Sequence, residues 1–331
     1  MIRNHYSLFL IAITLLFVSC KNEKKDEKIQ LKGNVFGTTY HITYLYDSQN
    51  YKPSIDSLFA VFNKSLSTYI PTSDISEINK GDSTVLVDDL FVEVFKKSKK
   101  IFKETDGYFD PTVGNLVNAW GFGPEKSINN LDSLEVKKLM KFVGLDKVSI
   151  KDRKVIKQYP ETYFDFNSIA KGFGIDVVSR FLESKHVQNY LVEIGGEVRA
   201  RGKSLKQKPW RIGVENPNTD GTRTIVEFID LDNQSIASSG NYRKFRIDKN
   251  GKKYVHTINP KTGFASESNL LAATVIASLD CADVDAYATA FMAMGFEKTK
   301  EFLNQNSHLK VILIYNNKQG KNSEYTNYTY N

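Results

Sequence analysis

Two separate segments of this chain have the residue types and spacing that chemistry on phosphates requires. In the first, residues 165–172 (DFNSIAKG), a carboxylate and two small polar residues precede Lys171 at the start of a predicted helix. The unpaired N–H groups and the positive dipole end of a helix start suit a phosphate, and Lys171 adds a point charge. On this segment alone an ordinary Asx cap for the helix is the more common explanation, and both interpretations stay open at this point.

The second segment places Asp285 and Thr289 four residues apart, on one face of a predicted Ala-rich helix over residues 283–294. Small neighbouring residues leave room for an ion. Hard oxygen ligands of this kind fit Mg²⁺, which keeps water and substrate phosphate oxygens in its shell. The alternative is that the Thr289 hydroxyl bonds a carbonyl one turn earlier in the helix.

Three further segments carry groups that are unusual in a generic core, although each is also compatible with ordinary packing. His256 ends a predicted strand, before the turn signals Asn-Pro and Thr-Gly, and is either a general base or a structural histidine. Residues 105–124 combine glycines, which let the backbone approach a ligand, with aromatic faces that suit a flat ring. Residues 66–76 end one helix, begin another, and expose Tyr69 near a loop.

The elements that must position these groups are helices mixed with antiparallel strands. Apolar residues at helical spacing predict helices over 55–67, 88–105, 133–143, 169–184 and 283–294. Alternating patterns predict a strand at 35–46, a hairpin over 147–158, a strand with a Gly-Gly break at 189–202, and strands at 210–215, 224–231, 243–247, 253–257 and 271–278. This order favours an α+β fold with mainly antiparallel sheets and packed helices over a doubly wound parallel sheet.

The bulk composition indicates a globular protein with ample room for a core. The chain has 331 residues, of which 41% are hydrophobic and 25% charged, and its formal net charge is +7. The basic residues are scattered rather than focused on one patch, which argues against a nucleic-acid partner. Cys20 and Cys281 lie far apart and imply no disulfide framework, and Cys281 is expected to be a small buried thiol.

The first 19 residues have the form of a secretory signal peptide. Arg3 precedes an apolar run over residues 8–18 that is too short to span a bilayer comfortably. Cys20 follows at once in a sequence that resembles a lipobox, so we expect it to be lipidated; the alternative is a plain signal peptide with a chance cysteine. Residues 20–30 then form the anchor and a charged tether. The expected location is the bacterial cell envelope, lipid-anchored and facing the periplasm, with one folded domain over 31–331.

Taken together, the segments resemble the ApbE family, the FAD:protein FMN transferases. Each motif alone could arise by chance, whereas the ordered set over roughly residues 31–314 is specific. The motifs are GTTY at 37–40, STYIP at 67–71, FDPTVG at 109–114, WGFG at 120–123, DFNSIAKG at 165–172, VEIGG at 192–196, SGNY at 239–242, HTINPKTG at 256–263 and DAYAT at 285–289.

The resemblance implies a T-fold-like architecture and a Mg²⁺-dependent cleavage of FAD. FMN would pass to a threonine or serine hydroxyl of an acceptor protein, for which a membrane redox complex subunit is the natural candidate, and AMP would leave. Tyr69 resembles the residue found in the transferase-type members and therefore favours transfer. Two alternatives stay open: a Mg²⁺-dependent FAD pyrophosphatase that yields FMN and AMP, and a non-catalytic periplasmic flavin-binding lipoprotein.

The same resemblance implies a role for each candidate residue. The Mg²⁺ ligands would be Asp285, Thr289 and the carbonyl of Ser168. FAD would be bound by Asp165 and Lys171, and its flavin or adenine pocket would be lined by Phe36, Tyr69, Tyr108, Phe109, Asp110 and Ile258. His256 would be the base for the acceptor hydroxyl, with Tyr69 beside the reaction. Three positions depart from the usual pattern of the family: Phe36 replaces Met, Asn167-Ser168 replaces Ser-Gly, and Asn259 replaces Asp, which removes a negative charge near the site.

Overall fold

The computed structural model describes residues 27–46, 48–128, 131–215, 225–241, 245–247, 253–265 and 268–329. The predicted signal peptide, the predicted lipidation site Cys20, residues 249–251 between two predicted strands and the last residue of the SGNY motif lie outside these ranges. The division into signal peptide, anchor and one folded domain therefore stays a prediction. Within the described ranges, no helix is both long enough and apolar enough to cross a membrane.

Fourteen strands are formed by the described residues. Their bounds are β1 (Glu27–Val35), β2 (Thr38–Tyr46), β3 (Val148–Lys151), β4 (Lys154–Lys157), β5 (Asn189–Ile194), β6 (Glu197–Arg201), β7 (Trp210–Glu215), β8 (Ile225–Leu231), β9 (Ser235–Gly240), β10 (Phe245–Ile247), β11 (Lys253–Val255), β12 (Leu270–Ala277), β13 (Lys310–Asn316) and β14 (Asn322–Thr326). Eight of them form one sheet in the order β1-β2-β5-β6-β9-β12-β13-β14, and β3–β4, β7–β8 and β10–β11 form three small sheets. Every pairing between these strands is antiparallel.

Eight α-helices lie between and beside these strands in the described part of the chain. They are α1 (Lys52–Leu66), α2 (Asp74–Asn79), α3 (Asp89–Glu104), α4 (Gly114–Ala119), α5 (Ser133–Met140), α6 (Ala170–Ser184), α7 (Cys281–Met294) and α8 (Phe296–Asn304). The N-caps follow from the sequence: the side chains of Ser73, Asp88 and Asp132 accept hydrogen bonds from backbone N–H groups at the starts of α2, α3 and α5.

Both faces of the large sheet carry apolar clusters. On one face, Ile42, Val192 and Val275 belong to the main core together with the apolar sides of α1, α3, α6 and α7. On the other, a smaller cluster joins Leu45 and Val198 to the β7–β8 hairpin. Helix α7 is apolar or small on nearly all sides and is buried almost throughout, as expected for a helix enclosed by other elements.

The predicted fold class, α+β with antiparallel sheets and packed helices, is confirmed, and two boundaries are corrected. The strand expected over 35–46 begins only at Thr38, because Phe36 and Gly37 adopt φ angles of 51° and 74° and form the turn between β1 and β2. Strand β1 begins at Glu27, which pairs with Tyr46, so residues 27–30 belong to the sheet and not to a tether.

Candidate active site

Helices α6 and α7 approach each other closely at their N-terminal turns. A Cβ atom on Gly172 would lie 2.4 Å from the Cys281 carbonyl oxygen, so only glycine permits this approach. The Gly172 N–H donates to Asp285 Oδ2 at 3.0 Å. The two segments that the sequence indicated for phosphate and metal therefore meet in one site.

The oxygen atoms at and next to this meeting point belong to α7 and β9. Asp285 is only 3% exposed. Burial raises the pKa of the Asp285 carboxyl, while the Lys171 ammonium opposes that shift. One turn further along α7, Thr289 Oγ1 lies 3.1 Å from Ser239 Oγ at the end of β9. The threonine hydroxyl thus faces the same side as the carboxylate, as the i, i+4 spacing predicts.

The Ser168 carbonyl lies just before α6, which begins at Ala170. Gly172 is in the first turn of that helix, where backbone N–H groups have no intrahelical acceptor, and its N–H donates to Asp285. Within the described ranges, the Ser168 carbonyl accepts no backbone hydrogen bond. Ser168 is half-buried, and a carbonyl without a donor is a suitable ligand for a cation.

Glu197 is a site residue that the sequence reasoning missed. It begins β6, directly after the VEIGG motif, is 2% exposed, and its Oε1 accepts a hydrogen bond from the Lys171 ammonium. A Cβ on Gly195 would approach Lys171 Cδ to 3.2 Å, so the glycine turn leaves room for the lysine. Burial raises the pKa of the Glu197 carboxyl; Lys171 opposes this shift and Asp285 adds to it.

These oxygens fit a magnesium ion by type. Among the residues that the structure describes, no group of three or more His, Cys, Asp or Glu side chains is arranged to hold a metal ion. A site here has to combine a carboxylate with hydroxyl and carbonyl oxygens, and Asp285, Thr289 and Ser168 supply such a set. Mg²⁺ commonly keeps several waters and takes only one or two carboxylates from the protein, so this small set is sufficient.

The aromatic glycine-rich loop is held from within by Asp110. The buried carboxylate accepts hydrogen bonds from the N–H and the hydroxyl of Thr112, at 2.8 and 2.6 Å, and from the N–H of Leu145 at 3.3 Å. Burial raises its pKa to about 6. Phe109 beside it is fully buried. Both residues were predicted to line the cofactor pocket. The structure places them inside the loop, where they hold its shape, and their role in a pocket stays a prediction.

The loop packs against the segment that contains His256. The Tyr108 ring lies 5.7 Å from Lys261 Nζ and 5.8 Å from Lys298 Nζ, while Ile258 is buried and bridges to Ala265. The ring of His256 contacts Phe122 edge-on, with 6.4 Å between centroids. Thr257, the next residue, donates to Asn241 Oδ1 at 2.8 Å. Because Asn241 follows β9 by one residue, this bond ties the histidine segment to the strand end that contacts Thr289.

Tyr69 lies on the wall of a cleft of ≈ 390 Å³ and is 61% exposed. Burial and the charge of Asp165 raise the pKa of its phenol. Asp165 is buried and accepts a hydrogen bond from the Asn167 N–H at 2.8 Å, which forms an Asx turn ahead of α6. The N-cap of α6 is Ile169, which makes no side-chain cap hydrogen bond, so the Asx cap considered from the sequence is not formed. The cleft is lined by Thr68, Tyr69, Pro71, Ser76, Asn79, Lys80, Pro124, Glu125 and Tyr163.

Phe36 packs against Gly174, on the side of α6 that faces away from the contact between Gly172 and α7. Its ring packs against Phe59 and Phe62 of α1, with centroids 5.6 and 4.5 Å away, and a Cβ on Gly174 would meet its edge at 2.5 Å. The φ of 51° is uncommon for so bulky a residue. The structure therefore places Phe36 beside the first turns of α6, whereas Tyr108 and Ile258 pack around the glycine-rich loop.

Comparison with known proteins identifies the family of the chain. The model of the ApbE family matches residues 36–313. An FAD:protein FMN transferase of Haemophilus influenzae is 36% identical, over 95% of this chain and 93% of its own length. A protein of the same name from Vibrio cholerae is 34% identical, over 94% of this chain and 95% of its own.

Solved structures show the same architecture. The flavin transferase ApbE from Vibrio cholerae superposes with a TM-score of 0.80 at 34% identity, covering 91% of this chain and 97% of that chain. The apo form of the flavinyl transferase ApbE from Pseudomonas stutzeri gives 0.80 at 28% identity, covering 91% and 95%. The chain belongs to the ApbE family. Its predicted membership, its ApbE architecture and its nature as an enzyme are thereby confirmed.

Proposed function

We propose that this protein is a Mg²⁺-dependent transferase that cleaves FAD and attaches FMN, through a phosphoester, to a threonine or serine of an acceptor protein. One observation carries the proposal: the hydrogen bond from Gly172 to Asp285 brings Lys171 and the start of α6 against the oxygen ligands of α7. A lysine, helix N–H groups and hard oxygens in one place suit a pyrophosphate and its metal ion. The relatives from H. influenzae and V. cholerae carry the name of this reaction.

The proposed reaction exchanges the phosphoanhydride bond of FAD for a phosphoester bond to the acceptor. The acceptor hydroxyl oxygen bonds to the phosphorus on the flavin side of the pyrophosphate, and the bond from that phosphorus to the bridging oxygen breaks. AMP leaves with the bridging oxygen, and His256 accepts the proton of the hydroxyl. Lys171 binds the pyrophosphate oxygens. Asp285, Thr289 and the Ser168 carbonyl would hold Mg²⁺, which supplies positive charge against the developing negative charge.

The flavin end of FAD is proposed to lie near Tyr69. A cleft of ≈ 390 Å³ falls in the size range of small-molecule sites. Tyr69 and Tyr163 offer aromatic faces to a flat ring, and the buried Thr68 hydroxyl lacks a hydrogen-bond partner among the described residues. Roles for Asp165, Phe36, Tyr108, Phe109, Asp110 and Ile258 in binding FAD remain predictions from the family resemblance.

The proposed place of action is the cell envelope. The apolar run and Cys20 support an exported, lipid-anchored protein that faces the periplasm, where a membrane redox complex subunit would be its acceptor. Cell fractionation tests the anchor. The unmodified protein is expected with membranes and Cys20→Ala in the soluble fraction, and an unchanged distribution would contradict the anchor.

The activity is tested by incubating the purified protein with FAD, Mg²⁺ and a candidate acceptor. Flavin fluorescence that stays with the acceptor after denaturation, together with released AMP, is the expected result. Free FMN in equal amounts with and without the acceptor would identify a pyrophosphatase instead. Tight FAD binding without any AMP would identify a flavin-binding protein, and either outcome refutes the transferase.

The metal ligand is tested by Asp285→Asn, with Asp283→Asn as the matched control on the same helix. Loss of charge stabilisation worth several kcal/mol predicts a fall in turnover of about 100-fold or more for Asp285→Asn. Asp283 faces away from the site and pairs with Lys97 at 3.1 Å, so its substitution is expected to leave turnover near that of the unmodified protein. Equal turnover in both variants would refute the metal assignment.

A further inference from the structure

We propose that Glu197 is a positioning residue of the cation site: its Oε1 holds Lys171, and its Oε2 accepts a hydrogen bond from the hydration shell of the divalent cation. The inference rests on the proposed function in one respect, the binding of a divalent cation beside Asp285. It does not depend on which molecule receives the flavin.

The first observation is an unsatisfied atom. Glu197 is 2% exposed, and Oε2 has no hydrogen-bond partner within the described part of the chain, although Oε1 is bonded to Lys171. A buried carboxylate oxygen without a donor is costly, so it marks a place where a donor belongs. Mg²⁺ retains several waters when it binds proteins, and each is a strong donor.

The second observation is the balance of buried charge. The carboxylates of Asp285 and Glu197 both act electrostatically on the Lys171 ammonium, so the three groups form one buried charge cluster. When all three groups are ionised, the cluster has a formal charge of −1. A divalent cation reverses this charge to one positive charge, which complements the two negative charges of a pyrophosphate. Glu197 is therefore placed to serve the cation as well as the lysine.

The third observation is the position of Glu197 on a central strand of the large sheet. Glu197 opens β6 and pairs with Ile194 of β5 across the Gly195–Gly196 turn, in the middle of the large sheet. A side chain on a central strand holds its position better than one on a loop, as the outer-shell partners of metal ligands must.

A simpler role is that Glu197 only holds Lys171 in place, and the sign of a change in metal affinity separates the two roles. Glu197→Gln removes a negative charge and an acceptor, and we expect the affinity for Mn²⁺ to fall by about 10–100-fold. Lys171→Met removes a positive charge from the same place, and we expect the affinity to stay or rise. A general disturbance of the site would lower the affinity in both variants.

The measurement is Mn²⁺ binding to the full-length folded protein without FAD, followed by electron paramagnetic resonance of the free ion. Glu183→Gln is the matched control, because Glu183 also pairs with a cation, Arg201, at 3.1 Å, and lies outside the site. It is expected to bind Mn²⁺ like the unmodified protein. Circular dichroism of each variant confirms that it is folded.

Three results would overturn the inference: unchanged affinity in Glu197→Gln, a fall in both Glu197→Gln and Lys171→Met, or no Mn²⁺ binding by the unmodified protein. Failure of the proposed function has a different signature. A protein that binds Mn²⁺ through Glu197 but moves no FMN to an acceptor would refute the transferase and leave the role of Glu197 standing.

Discussion

Replacement of Gly172 by alanine tests the contact that assembles the site. The added Cβ would lie 2.4 Å from the Cys281 carbonyl oxygen and 2.8 Å from Ala282 Cα. These are backbone atoms of α7, so they cannot swing aside as a side chain would. Relief to an ordinary contact of 3.4 Å requires α6 and α7 to separate by about 1 Å.

Two opposing effects decide the change in stability. Alanine is better than glycine in a helix interior by about 1 kcal/mol, whereas overpacking of a close contact costs about 1–3 kcal/mol. We therefore expect the free energy of unfolding to fall by up to about 2 kcal/mol. The same separation would stretch the 3.0 Å hydrogen bond from Gly172 to Asp285 beyond hydrogen-bonding distance, so turnover should fall more than stability does.

Urea denaturation measures the stability and the flavin-transfer assay measures the turnover. Gly174→Ala is the matched control, since its Cβ would meet the edge of the Phe36 ring at 2.5 Å, and a ring can turn where a backbone cannot. The free energy of unfolding of Gly174→Ala should be equal to or higher than that of Gly172→Ala. If Gly172→Ala is as stable and as active as the unmodified protein, the close approach of the two helices is refuted.

Three further changes test other parts of the structure. Asp110 has a pKa raised to about 6 in the folded state, so the unfolded state loses this proton first and the free energy of unfolding falls by about 2 kcal/mol as the pH rises from 4 to 6. Asp110→Asn should show a flatter pH profile in urea titrations, and identical slopes would contradict this. Asp176→Ala removes the acceptor of the Cys281 and Ala282 N–H groups. The free energy of unfolding in urea should fall by about 3–5 kcal/mol, and a fall of less than about 1 kcal/mol would contradict this. Tyr69→Ala, at an exposed position, should leave stability unchanged and raise the ratio of free FMN to protein-bound flavin; an unchanged ratio would count against a role for Tyr69 in transfer.

The helices with a clear apolar period were predictable. The spacing of apolar residues placed helices at 55–67 and 169–184, and the structure has them at Lys52–Leu66 and Ala170–Ser184. Their periodicity reflects one face packed on the sheet, and that signal is present in the sequence whatever the partner is.

Elements without such a period were missed. Strand β9 (SIASSG) reads as a small polar linker, yet it lies in the middle of the large sheet between β6 and β12. Strand β1 (EKIQLKGNV) alternates apolar and polar residues, but its first residues continue a charged stretch that was assigned to a tether. Strand β9 is stabilised by its neighbours more than by its own residues, so local propensity does not reveal it.

The candidate site was predictable in part. The Asp285–Thr289 spacing and the segment around Lys171 pointed to a metal and a phosphate, and the family resemblance joined them. Glu197 carried no signal beyond its position after two glycines. A glutamate at the start of a strand is common, and only its burial and its bond to Lys171 mark it as part of the site.

The sequence by itself determined which residues share a helix face, which segments form the periodic helices and in what order the family motifs occur. Each of these depends on neighbours along the chain. Only the tertiary structure decided that Gly172 bonds Asp285, 113 residues away, and that Glu197 bonds Lys171, 26 residues away. Such contacts depend on how α6, α7 and the sheet pack together, and packing is a property of the whole chain that no local pattern specifies.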